Sequence, residues 1–172
     1  MAEAKSALAT VTFPGRFGRL DQGGPGLVLR ERRDLTLTEV AAWGATGIDL
    51  PGPNASAPLG DGVALNIGPD RWLLVDAEAS PDNATVVDQS HGRVVLRLTG
   101  RAVRDVLSKG CPIDLERFAA GDVAATRLGP FAVVLHGIED GIDLYVARGY
   151  AQACWEWLTD AAGEYGYEVP AS

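Results

Sequence analysis

Histidine and cysteine are scarce in this 172-residue chain, with two of each: His91 and His136, Cys111 and Cys154. No C-x-x-C pair occurs, so neither a disulfide framework nor a four-ligand zinc site can be assembled from these residues. The two thiols read as small buried hydrophobes. No stretch approaches about 18 consecutive apolar residues, which excludes a membrane-spanning helix. The opening MAEAKSALATVTFPGR lacks a basic segment followed by an apolar run, so no signal peptide is expected and the chain is assigned to the cytoplasm. There is no G-x-G-x-x-G, no G-x-x-x-x-G-K-[ST] and no G-x-S-x-G, so dinucleotide, phosphate-loop and nucleophile-elbow chemistry lack sequence support. Basic charge is also short. Fifteen Lys and Arg against 23 Asp and Glu give a net charge of −8, which argues against nucleic acid as a partner.

That charge is unevenly spread. Residues 1–34 carry +2, which leaves −10 on residues 35–172. Residues 1–26 show little periodicity, and Phe13, Phe17 and Leu20 are their only large anchors. This segment cannot offset its ordering entropy alone, so it reads as a leader that gains order on a partner. Residues 27–172 read as one α+β domain.

The most strongly patterned stretch is Val86–Leu115. Val94, Leu96 and Leu98 alternate with Val95 and Arg97, the period-2 pattern of a half-buried strand. Thr99 is an expected N-cap for a helix whose apolar stripe is Ala102, Val103, Val106 and Leu107. Gly110 suits a left-handed C-terminal position, and Pro112 stops the helix. Elsewhere, Leu27–Arg32, Val63–Ile67, Trp72–Val75, Ala124–Leu128, Phe131–Gly137 and Ile142–Ala147 read as strands. Gly129-Pro130 marks a hairpin. Thr36–Glu39 fits a capping box that opens a short helix ending near Trp43, with a strand as the competing reading. Eight Gly and Pro residues within 44–62 predict a long irregular loop. Asp76–Thr85, with Pro81 and Asn83, does not favour a full helix. A second helix follows from Ala151, Cys154, Trp155, Leu158, Ala161 and Ala162 at 3.6-residue spacing. The fold class predicted is an antiparallel sheet with helices packed on one face.

Asp88, Ser90 and His91 are the residue types of a hydrolase triad. Their crowding at i, i+2 and i+3 leaves no third group to orient the base from elsewhere. A turn held by side-chain bonds to nearby backbone N–H groups is the reading preferred. Glu139-Asp140 beside Gly141 reads as a solvated turn. Tyr150 and Trp157 flank the stripe of the second helix. They read as edge packing or, with Phe13, Phe17 and Leu20, as aromatic and apolar anchors for a partner protein.

The run D-x-S-H, R-V-x-L-R-L-x-G, A-x-x-x-x-L and K-G-C-P-I-D-L resembles the gamma subunit of heterotetrameric sarcosine oxidase. IGPDRWLLV and LYVARGYAQACWEWLTDAA extend the resemblance over residues 63–166. It implies a fold like the folate-binding domain of aminomethyltransferases, with ferredoxin-like β-α-β pseudo-repeats. It further implies alpha, beta and delta partner subunits that hold FAD, FMN, NAD, zinc and tetrahydrofolate. The complex so implied demethylates sarcosine oxidatively to glycine, and this chain carries no cofactor, metal or catalytic residue. A related N-methylglutamate or other secondary-amine dehydrogenase complex is the near alternative. A free-standing folate-binding one-carbon transferase is the alternative from another class.

Overall fold

The computed structural model describes residues 6–20 and 23–171. Glu3, Lys5 and Asp21, counted in the charge of residues 1–34, lie outside the described residues. Along the chain run β1 (Gly15–Phe17), β2 (Leu27–Arg32), β3 (Leu37–Ala42), β4 (Ser56–Leu59), β5 (Gly62–Gly68) and β6 (Arg71–Val75). Then come β7 (Ala84–Asp88), β8 (Arg93–Thr99), α1 (Val103–Ser108), β9 (Val123–Leu128), β10 (Phe131–Ile138) and β11 (Gly141–Ala147). A 3₁₀ turn at Arg148–Tyr150 leads into α2 (Ala151–Ala162), and β12 (Tyr167–Val169) follows.

The strands form two sheets. One is seven-stranded, in the order β1-β12-β2-β8-β11-β10-β9; the other is five-stranded, in the order β4-β5-β6-β3-β7. All pairings are antiparallel except β12 with β2. Val94, Leu96 and Leu98 of β8 share a core with Val103, Val106 and Leu107 of α1 and with Cys154, Trp155 and Leu158 of α2. Val95, Val134 and Tyr145 point through the other face and join Leu37, Leu65, Leu73 and Val75 of the smaller sheet. The helices therefore cover one face of the large sheet, as expected, and the second sheet covers its other face.

This layering changes the reading of β8. Val95 is 2% exposed, so the strand is buried on both faces, and full burial of a valine is worth about 1.5–3 kcal/mol. The polar partner in the alternation, Arg97, is accommodated by a carboxylate inside the interlayer space.

Several local expectations are corrected. Thr36–Glu39 does not open a helix: Leu37–Ala42 is a strand bonded to both β6 and β7, because pairing on two sides outweighs one capping motif. The irregular span 44–62 contains β4, paired to β5. Thr99 is no N-cap but the last residue of β8, opposite Gly141. Ala102 takes the cap position without a side-chain bond. Gly110 is not in the left-handed region. Its missing side chain makes room for the Trp157 ring, whose Cζ2 lies 2.6 Å from where a Cβ would stand.

The segment expected as a partner-ordered leader touches the body. Leu8 is fully buried in the helix-side core, and β1 pairs with β12. Phe17 has a local partner, stacking on Tyr167 at 5.2 Å between ring centroids.

Candidate functional site

The D-x-S-H turn closes β7 onto β3. The Asp88 carboxylate accepts the Ser90 N–H at 2.8 Å, and the Ser90 side chain, followed by this backbone bond, holds its carboxyl below the usual range. The Ser90 hydroxyl oxygen accepts the Leu37 N–H at 3.0 Å. That oxygen lies 3.4 Å from the Leu37 carbonyl, to which the Gln89 N–H donates at 2.7 Å. Ser90 is thus committed to the backbone of β3, and His91 stands exposed. The arrangement is that of a clamp, and it supports the turn reading over the triad.

Sequence reasoning missed the polar cluster between the sheets. Asp143 on β11 is opposite Arg97 on β8, and its side chain is almost fully enclosed. Arg97 donates to it from Nε at 2.8 Å and from Nη2 at 2.7 Å. Arg32 of β2 adds a longer bond, 3.2 Å from Nη1. The bonds to Asp143 raise the pKa of Arg97. His136 of β10, opposite Asp143 on its other side, contacts the Ser56 hydroxyl through Nε2 at 3.1 Å. Burial is the main cause of its lowered pKa, with the Arg97 and Arg32 charges acting in the same direction against Asp143. Burial likewise raises the Tyr145 phenol. A charged residue between Ile142 and Leu144, in register with an arginine on the neighbouring strand, was the sequence signal available.

A second shared carboxylate lies nearby. Glu39 pairs with Arg71 and, at 3.2 Å, with Arg93. Burial alone would push its carboxyl up, but bonding and charge from the two arginines leave it lowered. Among the described residues no group of three His, Cys, Asp or Glu is placed to hold a metal ion. Cys111 and Cys154 are free and buried, and burial pushes the Cys154 thiol up to about 12.

The expected anchors fall in separate places. Phe13 is exposed and Leu20 and Phe17 are partly so, all on the N-terminal segment. Tyr150 is 61% exposed and tilts against Phe131 at 6.4 Å. Trp157 is partly buried against the helix-side core, fitted between Gly110 and Gly129. It closes packing within the chain.

The model of the sarcosine oxidase, gamma subunit family matches residues 34–164, which take in the clamp, both helices and all of the interlayer cluster but Arg32. The chain belongs to this family. The gamma subunits of sarcosine oxidase from Corynebacterium sp. (strain U-96) and Arthrobacter sp. are similar to it. The first is 30% identical over 138 residues, 70% of this chain and 67% of that protein. The second is 32% identical over 138 residues, 70% and 68%. Among solved structures, the heterotetrameric sarcosine oxidase from Corynebacterium sp. U-96, in complex with pyrrole 2-carboxylate, contains a chain that superposes with a TM-score of 0.70. Identity is 28%, over 81% of this chain and 85% of that one. Aminomethyltransferase T of the Bartonella henselae glycine cleavage system shares the fold, with a TM-score of 0.62, 17% identity and coverage of 85% and 48%. The gamma-subunit family and the α+β, folate-binding-like fold implied by the D-x-S-H and K-G-C-P-I-D-L motifs are thereby both established.

Proposed function

We propose that the chain is the structural, non-catalytic gamma subunit of a heterotetrameric oxidase that demethylates sarcosine to glycine. Alpha, beta and delta subunits would complete the assembly and carry FAD, FMN, NAD, zinc and the tetrahydrofolate site. The observation that carries this reading is the superposition on a chain of a heterotetrameric sarcosine oxidase over 81% of the length. The clamp supports it, because the Ser90 hydroxyl is engaged with the Leu37 backbone of β3.

Exposed apolar groups support a docked subunit. Phe13 and Tyr150 are more than half exposed, and aromatic anchors are favoured at interface centres. Edge strand β7 adds Val86 and Val87, exposed on its two faces, and Trp43 stands exposed beyond the end of β3. An edge strand without proline or lysine invites pairing with another chain. In this reading residues 6–20, laid against the body through Leu8 and β1, present Phe13 and Leu20 to the partner.

Co-expression with the three candidate partner subunits tests the proposal. One flavin-containing complex should elute with sarcosine-dependent peroxide production, and hydrogen exchange at residues 8–20 and 84–88 should slow relative to the free chain. Assembly and full turnover of the partners without this chain would refute it.

A further inference from the structure

We propose that the cleft between the end of β2, the start of β3 and the Asp88–Gly92 turn binds a small organic oxyanion, a carboxylate or a phosphate. The cleft encloses about 590 Å³, within the usual range for small-molecule sites. Arg32, Arg33, Arg93 and Arg148 line it against only Glu31 and Asp34. That surplus of positive charge stands in a chain of net charge −8.

The bonding pattern sharpens the argument. Arg97 already occupies Asp143 with two short bonds, so Arg32 holds the same carboxylate only at 3.2 Å. Glu39 is shared in the same way between Arg71 and Arg93. Each carboxylate neutralises one guanidinium, and each trio keeps a charge of +1. Arg32 and Arg93 are the members of their trios that line the cleft. They lie close together, because Arg32 is in register with Val95, two residues beyond Arg93 on β8. An oxyanion seated in the cleft would take charge-assisted bonds from both half-neutralised arginines.

The acidic lining residues bias where the anion sits. Glu31 is taken up by the Ser6 hydroxyl and by Arg33 at 2.9 Å, on the N-terminal side of the cleft. Asp34 is exposed, so water screens it. The favourable position is therefore toward Arg32 and Arg93, with Leu35, Leu37 and Val95 as an apolar wall for the ligand's body.

The test uses the purified full chain with inorganic phosphate and succinate as probes, at constant ionic strength with sodium chloride as comparator. Isothermal titration and thermal denaturation should both show saturable binding that chloride does not reproduce. Preference for phosphate or for succinate then identifies the ligand's headgroup. Arg32→Gln and Arg93→Gln leave Asp143 and Glu39 with Arg97 and Arg71, so both variants should fold. Each should weaken binding about tenfold or more, the scale of a charge-assisted hydrogen bond. Arg127→Gln, on the distant β9–β10 hairpin, should bind as the parent does. The proposal is overturned if neither probe stabilises the chain beyond matched chloride, or if both cleft variants bind with unchanged affinity.

Discussion

Replacing Asp143 by alanine removes the carboxylate that holds Arg97 and Arg32 together between the sheets. Breaking a buried ion pair from one side costs about 3–5 kcal/mol, because the remaining charge is left unpaired in a poorly hydrated space. Here the two arginine side chains are 35% and 28% exposed, so they recover some hydration. That lowers the expectation to about 2–4 kcal/mol. For a chain of this size each kcal/mol moves the melting temperature by about 2–4 °C, giving a total fall on the order of 5–15 °C. Urea unfolding of the full chain measures the free energy directly, with Asp140→Ala in the exposed turn before β11 as the control. If Asp143→Ala and Asp140→Ala both lie within about 0.5 kcal/mol of the parent, the scale of an ordinary surface change, the interlayer cluster holds nothing together.

Gly137→Ala should prevent stable folding, since its Cβ would stand 1.9 Å from the Ala119 carbonyl oxygen; soluble expression with a native circular dichroism spectrum would contradict this. Ser90→Ala should cost about 1–2 kcal/mol by stranding the Leu37 N–H, while turnover of the assembled complex stays within a small factor; a thousandfold fall in kcat with assembly intact would mark a catalytic group instead. Acidification should weaken the fold through His136, whose folded-state pKa is lowered. The unfolded chain binds that proton more readily, so stability is full above about pH 6.5 and falls as pH drops through the folded value. His136→Gln should flatten the slope in that window. Glu39 and Asp88, also lowered, act only in the more acidic carboxylate range. The purified chain should be colourless, and a stoichiometric flavin band would contradict the assignment of flavin to partner subunits.

Strands bounded by tight turns were legible from sequence. β5, β6, β9, β10 and β11 differ from expectation by a residue or so at their ends, and α2 fills the span of its apolar stripe. The failures share one physical cause, pairing or packing that local sequence does not encode. Leu37 and Val40 of β3 are buried on opposite faces of the small sheet, and a strand buried on both sides loses its alternation. Their i, i+3 spacing then imitates a helix. β1 and β12 are three residues each, too short to show any period; β1 exists by pairing with β12, and β12 by pairing with β1 and β2. The cleft charge was equally hidden, because Arg32, Arg93, Glu39 and Asp143 come from four strands that only the topology brings together.

The position of β12 sets a condition on synthesis. It lies between β1 and β2 in the large sheet, yet among the described strands it comes last along the chain. Until Tyr167–Val169 leaves the ribosome, β2 keeps a bare edge and β1 has nothing to join. The β8–β11 hairpins and their helices can assemble earlier, as vectorial folding by local contact allows. The nascent subunit is thus an open sheet with an unsealed seam for most of its translation. A stalled or truncated chain lacking residues 167–169 would retain that seam, and its readiest partner would be the same edge on a neighbouring nascent chain.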